Sequence, residues 1–259
     1  MTAAAVSGVR PHGSDPSPLH AAALLRLLAL ALAPQRRASL AEVEALAGAL
    51  AERPGATPEL AELADAAAGS AEEIALAHQR LFAPDAVSPY EASIELDPFR
   101  QARQMADVSG FYGAFGAEAH GPAADRPDHA GTEVEFLAFL ALRRLQADAA
   151  GESDEAARCA EIEASFLASH AGRWLPPFFR ALEAAADDGF HRALGRLGAA
   201  VIEGEIARRG LEVEQVAAER GTRLSVEADE IECGATGLQT PFEAIASPHR
   251  RRRGQAPPV

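Results

Sequence analysis

Leucines at 24, 25, 28 and 32 recur with helical spacing between Pro18 and Leu32. That periodicity predicts a helix whose apolar side is buried in a core or against a second copy. Ser39 followed by Glu42 reads as a capping box, in which each side chain satisfies a free backbone donor of the other. Arg53-Pro54-Gly55 closes the helix so opened. Thr57-Pro58 starts another, Gly69 ends it, and Ser70 with Glu73 forms a second box leading to Phe82. Three helices are thus expected between residues 39 and 82.

Pro84, Pro89 and Pro98 then interrupt the pattern, so residues 83–98 read as an irregular connector. Helical spacing resumes from Phe99 to Phe115. A second connector, Gly116 to Pro127, suits a hinge or exposed loop. Helices over about 130–148, 153–170, 174–186 and 189–209 complete the pattern. The prediction is an all-α fold, a single bundle-like domain over residues 18–212, with helical halves at about 18–115 and 128–212 joined by the connector. Residues 1–17, rich in Gly, Ser and Pro, are expected to be disordered. Residues 213–259, ending in His249-Arg250-Arg251-Arg252-Arg253 and two prolines, are expected to form a partly disordered extension. No internal repeat is visible.

Composition sharpens this picture. A chain of 259 residues that is 48% hydrophobic can bury one sizeable core. Alanine is abundant and every one of the 24 basic residues is arginine, a bias that favours helix over strand. The net charge of −14 argues against a nucleic-acid partner, which needs a basic face, but not against a short basic peptide. Cys159 and Cys233 lie in no C-x-x-C pair or histidine cluster, so neither a disulfide framework nor a metal site is expected.

The apolar stretch Leu19 to Ala33 is too short to span a bilayer and carries Arg26. Its one small-x-small site is blocked by Pro34, and the twin Arg36-Arg37 is followed by Glu42 and Glu44 rather than an apolar run. The expectation is a cytoplasmic protein without membrane insertion.

No local template for catalysis appears: no G-x-S-x-G, P-loop or H-E-x-x-H, and no histidine preceded by glutamate at the i, i+3 spacing of a di-metal bundle. Asp188-x-x-His191 comes nearest. With Asp187 and Gly189 it reads as a helix N-terminus, where acids complement the dipole.

Two stretches depart from the Ala-Leu-Glu background. One is Leu81-Phe82-Ala83-Pro84 followed by Val87-Ser88-Pro89-Tyr90-Glu91-Ala92-Ser93. The other runs from Arg126-Pro127-Asp128-His129-Ala130-Gly131-Thr132-Glu133 through Val134-Glu135-Phe136-Leu137 to Leu140. In this order and at this separation they resemble the motifs of the TorD/DmsD/NarJ family of molybdoenzyme-specific chaperones, with a Leu-Phe segment, a Pro-Tyr-Glu-Ser loop and a later Pro-Asp-His motif. The run Arg103 to Gly116 is similar to the helix that lies between those motifs, and the likeness covers roughly residues 20–205. Departures are apolar: Ala130 stands where Leu or Ile is usual, Val134 replaces Leu, and Leu137 replaces Met. Residues past 210 have no counterpart.

The resemblance implies a fold of the TorD type and a cytoplasmic chaperone, not an enzyme. Its partners would be the apo catalytic subunit of a molybdenum oxidoreductase and its twin-arginine leader, held until cofactor insertion is complete. No catalytic residue, metal or tightly bound cofactor is implied. Transient contact with molybdopterin guanine dinucleotide or guanine nucleotide stays open, as does monomer versus homodimer. The residues marked for client or signal-peptide binding are Tyr90, Glu91, Pro127, Asp128, His129 and Glu133.

Local chemistry agrees at the second motif. Pro127 fixes its own φ, Asp128 can cap the helix that follows, and His129 is left near a helix start. Each also has a plainer reading: Asp128 as a simple N-cap, His129 as a solvated or capping imidazole, Tyr90 as a ring pinning the connector. Phe136 and Phe139, at i and i+3, are expected in the core. Trp174 reads as packing or a helix start. Two rival functions are a helical hydrolase or lyase using His129 as base and Asp128 as its orienting acid, and a scaffold that dimerises through the Leu19 to Ala33 helix.

Overall fold

Pro18 suits the first turn of a helix because its missing N–H would be unpaired there anyway. The Ser17 hydroxyl accepts from the His20 amide at 3.3 Å, so α1 spans Pro18–Leu32. A computed structural model describes residues 17–34, 37–83, 86–95, 97–117 and 126–216, and all of them lie in the unit Met1–Ala218. The expectations for residues 1–16, for 118–125 within the second connector and for 217–259 lie outside the described residues.

The elements that follow are α2 (Arg37–Ala51), α3 (Pro58–Ala67), α4 (Ala71–Leu81), a 3-10 turn (Glu91–Ile94), α5 (Pro98–Ala114), α6 (Ala130–Ala150) and α7 (Ser153–Phe166). A π turn (Leu167–Ala171), α8 (Gly172–Ala185) and α9 (Gly189–Arg208) complete the set. The fold is all-α. Among the described residues the only extended pairing is an isolated antiparallel bridge between Tyr90 and His129.

Several start signals act as the sequence predicts. The Ser70 hydroxyl accepts from the Glu73 amide at 3.3 Å and donates its own proton to the Glu72 carboxylate. Asp188 accepts from the His191 amide at 2.9 Å and caps α9. Ser39 does not open α2, which starts at Arg37, and Thr57 precedes α3 without a side-chain cap bond.

Helix α1 packs on α6, α2 and α9, and α3 also packs on α9. One hydrophobic cluster therefore runs from Leu25 and Leu28 through Leu60, Val108, Phe136 and Phe166 to Leu194 and Ile202. Leu25, Leu28 and Leu32 are buried inside this chain, which leaves the dimer-only scaffold without the face it required. Phe136 is 4% exposed, but Phe139 is 37% exposed and lies with one side in solvent, stacked on Phe136 at 6.4 Å. The two positions differ by a partial turn, and that rotation carries Phe139 out of the seam that Phe136 fills.

Helices α7 and α8 are continuous through the π turn. The Gly172 amide donates to the Leu167 carbonyl, and a Cβ on Gly172 would collide with that same oxygen, so only glycine fits the turn as built. Pro177 then has no N–H for the Arg173 carbonyl. The Val216 amide takes its place at 3.0 Å, fastening the segment after α9 to α8. Helices α8 and α9 approach closely because Gly198 lies against the ring of Phe179.

Candidate functional site

The two connectors meet at one corner. The Glu91 amide donates to the Asp128 carbonyl at 2.9 Å and the Ala130 amide to the Pro89 carbonyl at 2.8 Å, flanking the Tyr90–His129 bridge. The Asp128 carboxylate, fully buried, accepts from the Ala92 amide at 2.9 Å. Asp128 is a cap, as the sequence suggests, but of the 3-10 turn across the corner. Helix α6 begins at Ala130, where the spacing predicts it, and its own cap is His129, whose Nδ1 accepts from the Gly131 amide at 3.0 Å.

That bond requires an unprotonated Nδ1. Burial, outweighing the Asp128 charge, lowers the His129 pKa and keeps the ring neutral. Asp128 does not hydrogen-bond the imidazole, so the acid–base pair of the hydrolase reading is not assembled. Among the described residues no group of three or more His, Cys, Asp or Glu could hold a metal ion.

Arg126 completes the outer side. Its Nε and one terminal nitrogen donate to the two Asp128 oxygens at 3.0 and 3.1 Å, and its guanidinium lies 3.8 Å from the centre of the Tyr90 ring. The rings of Tyr90 and His129 meet edge to face at 5.3 Å. Beneath them, Tyr112 on α5 donates to the Pro127 carbonyl at 2.9 Å.

Two more acids lie inside. Glu91 is 1% exposed and its carboxylate faces Nδ1 of His170 in the π turn at 3.0 Å. Glu133 is fully buried and accepts from the Trp174 indole N–H at 2.9 Å. Burial, reinforced by the Glu91 charge, raises the Glu133 carboxyl well above its ordinary range. On the far side of His170 opens a polar cleft of about 390 Å³ lined by Arg103, Asp107, Ser169 and Arg173 among others.

All six residues singled out from the sequence therefore converge, but Glu91, Pro127, Asp128 and Glu133 are buried, and only Tyr90 and His129 reach the surface in part. The sequence reading missed Arg126, Tyr112, His170 and Trp174 as their partners. Trp174 carried a signal, since a buried indole N–H needs an acceptor. His170 carried none, because the π turn that aims it is invisible to a 3.6-residue period.

Comparison with known proteins bears on this arrangement. A profile of the nitrate reductase delta subunit family matches residues 41–180, more than half of the chain and all of the corner. The chain belongs to that family. It is the NarJ/TorD-type family of molybdoenzyme maturation chaperones. The chain is also 33% identical over 130 residues to the selenate reductase assembly chaperone protein of Thauera selenatis, a stretch covering 50% of this chain and 65% of that protein. The family match runs from α2 into α8 and so takes in both connectors, the π turn and Trp174.

Proposed function

We propose that this protein is a cytoplasmic chaperone for assembly of a molybdopterin-containing oxidoreductase. It binds the catalytic-subunit precursor, its twin-arginine leader, or both, and releases them once the cofactor is in place. The observation that carries the reading is the corner itself, where three buried carboxylates, from Glu91, Asp128 and Glu133, are gathered by two connectors and sit under a surface of Tyr90, Arg126 and His129. A chain of net charge −14 suits a partner that presents arginines, and carboxylates take guanidinium groups in bidentate geometry. Molybdopterin guanine dinucleotide is the client's cofactor in this scheme, and any contact with it or with guanine nucleotide is transient. No described helix is long and apolar enough to cross a membrane.

The test is co-expression with a candidate catalytic subunit. The chain should be recovered with the leader-bearing precursor and be absent from the mature exported enzyme. Equal recovery with both forms would overturn the reading in favour of a structural subunit.

A further inference from the structure

The corner contains a receptor for a guanidinium group that already holds one from its own chain. A carboxylate offering both oxygens and an aromatic face at stacking distance are the two elements that select arginine over lysine. Asp128 and Tyr90 supply both, and Arg126 occupies them.

The receptor is held by contacts that do not involve Arg126. The Ala92 amide fixes the Asp128 carboxylate, the Tyr112 hydroxyl fixes the Pro127 carbonyl, and two main-chain hydrogen bonds fix Tyr90 opposite His129. Arg126 itself is the peripheral member: its side chain remains 39% exposed while Asp128 is fully buried. A partly exposed arginine two residues from the acid is the part that can leave, and the buried acid is the part that then needs another cation.

We infer that Arg126 is an internal occupant of an arginine-binding site, displaced when an arginine of the client enters between Asp128 and Tyr90. This rests on the chaperone reading for the source of the incoming arginine. It adds that the site is self-occluded, so that empty chaperone keeps Asp128 paired and the affinity for the client is set by competition between two guanidinium groups.

The experiment uses the full chain and a fluorescent peptide bearing two adjacent arginines ahead of an apolar run, followed by anisotropy. Removing the internal competitor in Arg126→Gln should tighten binding at least tenfold, with Arg126→Lys falling between Gln and the native residue. A twin-lysine peptide should gain no such advantage. Arg126→Gln should also melt at a lower temperature than the native chain and recover on addition of arginine amide, because the unpaired Asp128 regains a partner. Arg126→Gln/Asp128→Asn should lose both the tight binding and the recovery. Unchanged or weaker peptide binding by Arg126→Gln overturns the exchange. If the precursor still co-purifies in that case, the chaperone reading stands without it, and if the precursor is lost as well, both fall.

Discussion

Trp174 on α8 donates its indole N–H to Glu133 on α6 at 2.9 Å, a contact that ties these two helices through a buried acid. Because burial raises the Glu133 carboxyl well above its ordinary range and disfavours its charge, Glu133→Gln, which keeps an acceptor of the same shape, should change stability by less than about 1 kcal/mol at pH 5. Glu133→Ala removes the acceptor and leaves a cavity, and should cost about 2–4 kcal/mol in urea unfolding. The sign of the pH dependence follows from the raised pKa. The native acid contributes its full stability below the unfolded value near 4.5 and loses it as pH rises toward the folded value, so Glu133→Gln should gain on the native chain between pH 5 and pH 8.

Acid should act in the opposite direction through His78. Burial first, then the nearby His191 and His129, lower its pKa to about 4. Nδ1 of His78 faces Nε2 of His191 at 3.4 Å, whose Nδ1 is in turn 2.8 Å from Asp188, and its ring meets Phe82 edge to face. The unfolded chain binds a proton near pH 6.5 that the native chain refuses until about pH 4, so stability falls as pH drops through that window. His78→Gln should flatten this acid limb in thermal melts between pH 7 and pH 4. A limb of unchanged slope would assign the loss to other groups.

Two glycines should resist even a methyl group. Gly198→Ala drives a Cβ into the Phe179 ring and Gly172→Ala into the Leu167 carbonyl, each costing about 1–3 kcal/mol by overpacking. Gly172→Ala should in addition loosen the contact of His170 with Glu91, read as a shift of the His170 imidazole resonances. Gly48 in α2 has open space where its Cβ would go, so Gly48→Ala should stabilise the protein by about 0.5–1 kcal/mol.

Local rules carried far along this chain. The starts of α3, α4 and α9 follow from Pro58, Ser70 and Asp188 because the groups involved lie within one turn of each other. The convergence of Tyr90, Glu91, Asp128, His129 and Glu133 was legible through resemblance to a family motif. Its wiring was not. Asp128 caps a turn 36 residues away, and nothing near Asp128 says that the Ala92 amide is waiting for it. The same limit hid the role of His170, which meets Glu91 across 79 residues. Phe139 was misplaced for the reverse reason: helical spacing gives angular separation on α6 but not the width of the seam its neighbours leave.

The bonds that sew Asp128 to Glu91 and Ala92 also close a ring in the chain, and α5 hangs within that ring with only Val108 and Tyr112 buried along its length. Closure of this kind makes the fate of α5 collective. While the corner holds, the amides of α5 are protected by the small free energy of two anchoring side chains. Once the corner parts, they lose protection together as one cooperative unit well below the free energy of global unfolding. Hydrogen exchange should show α5 opening as a block and the amides of α1 and α9, deep in the shared core, persisting long after.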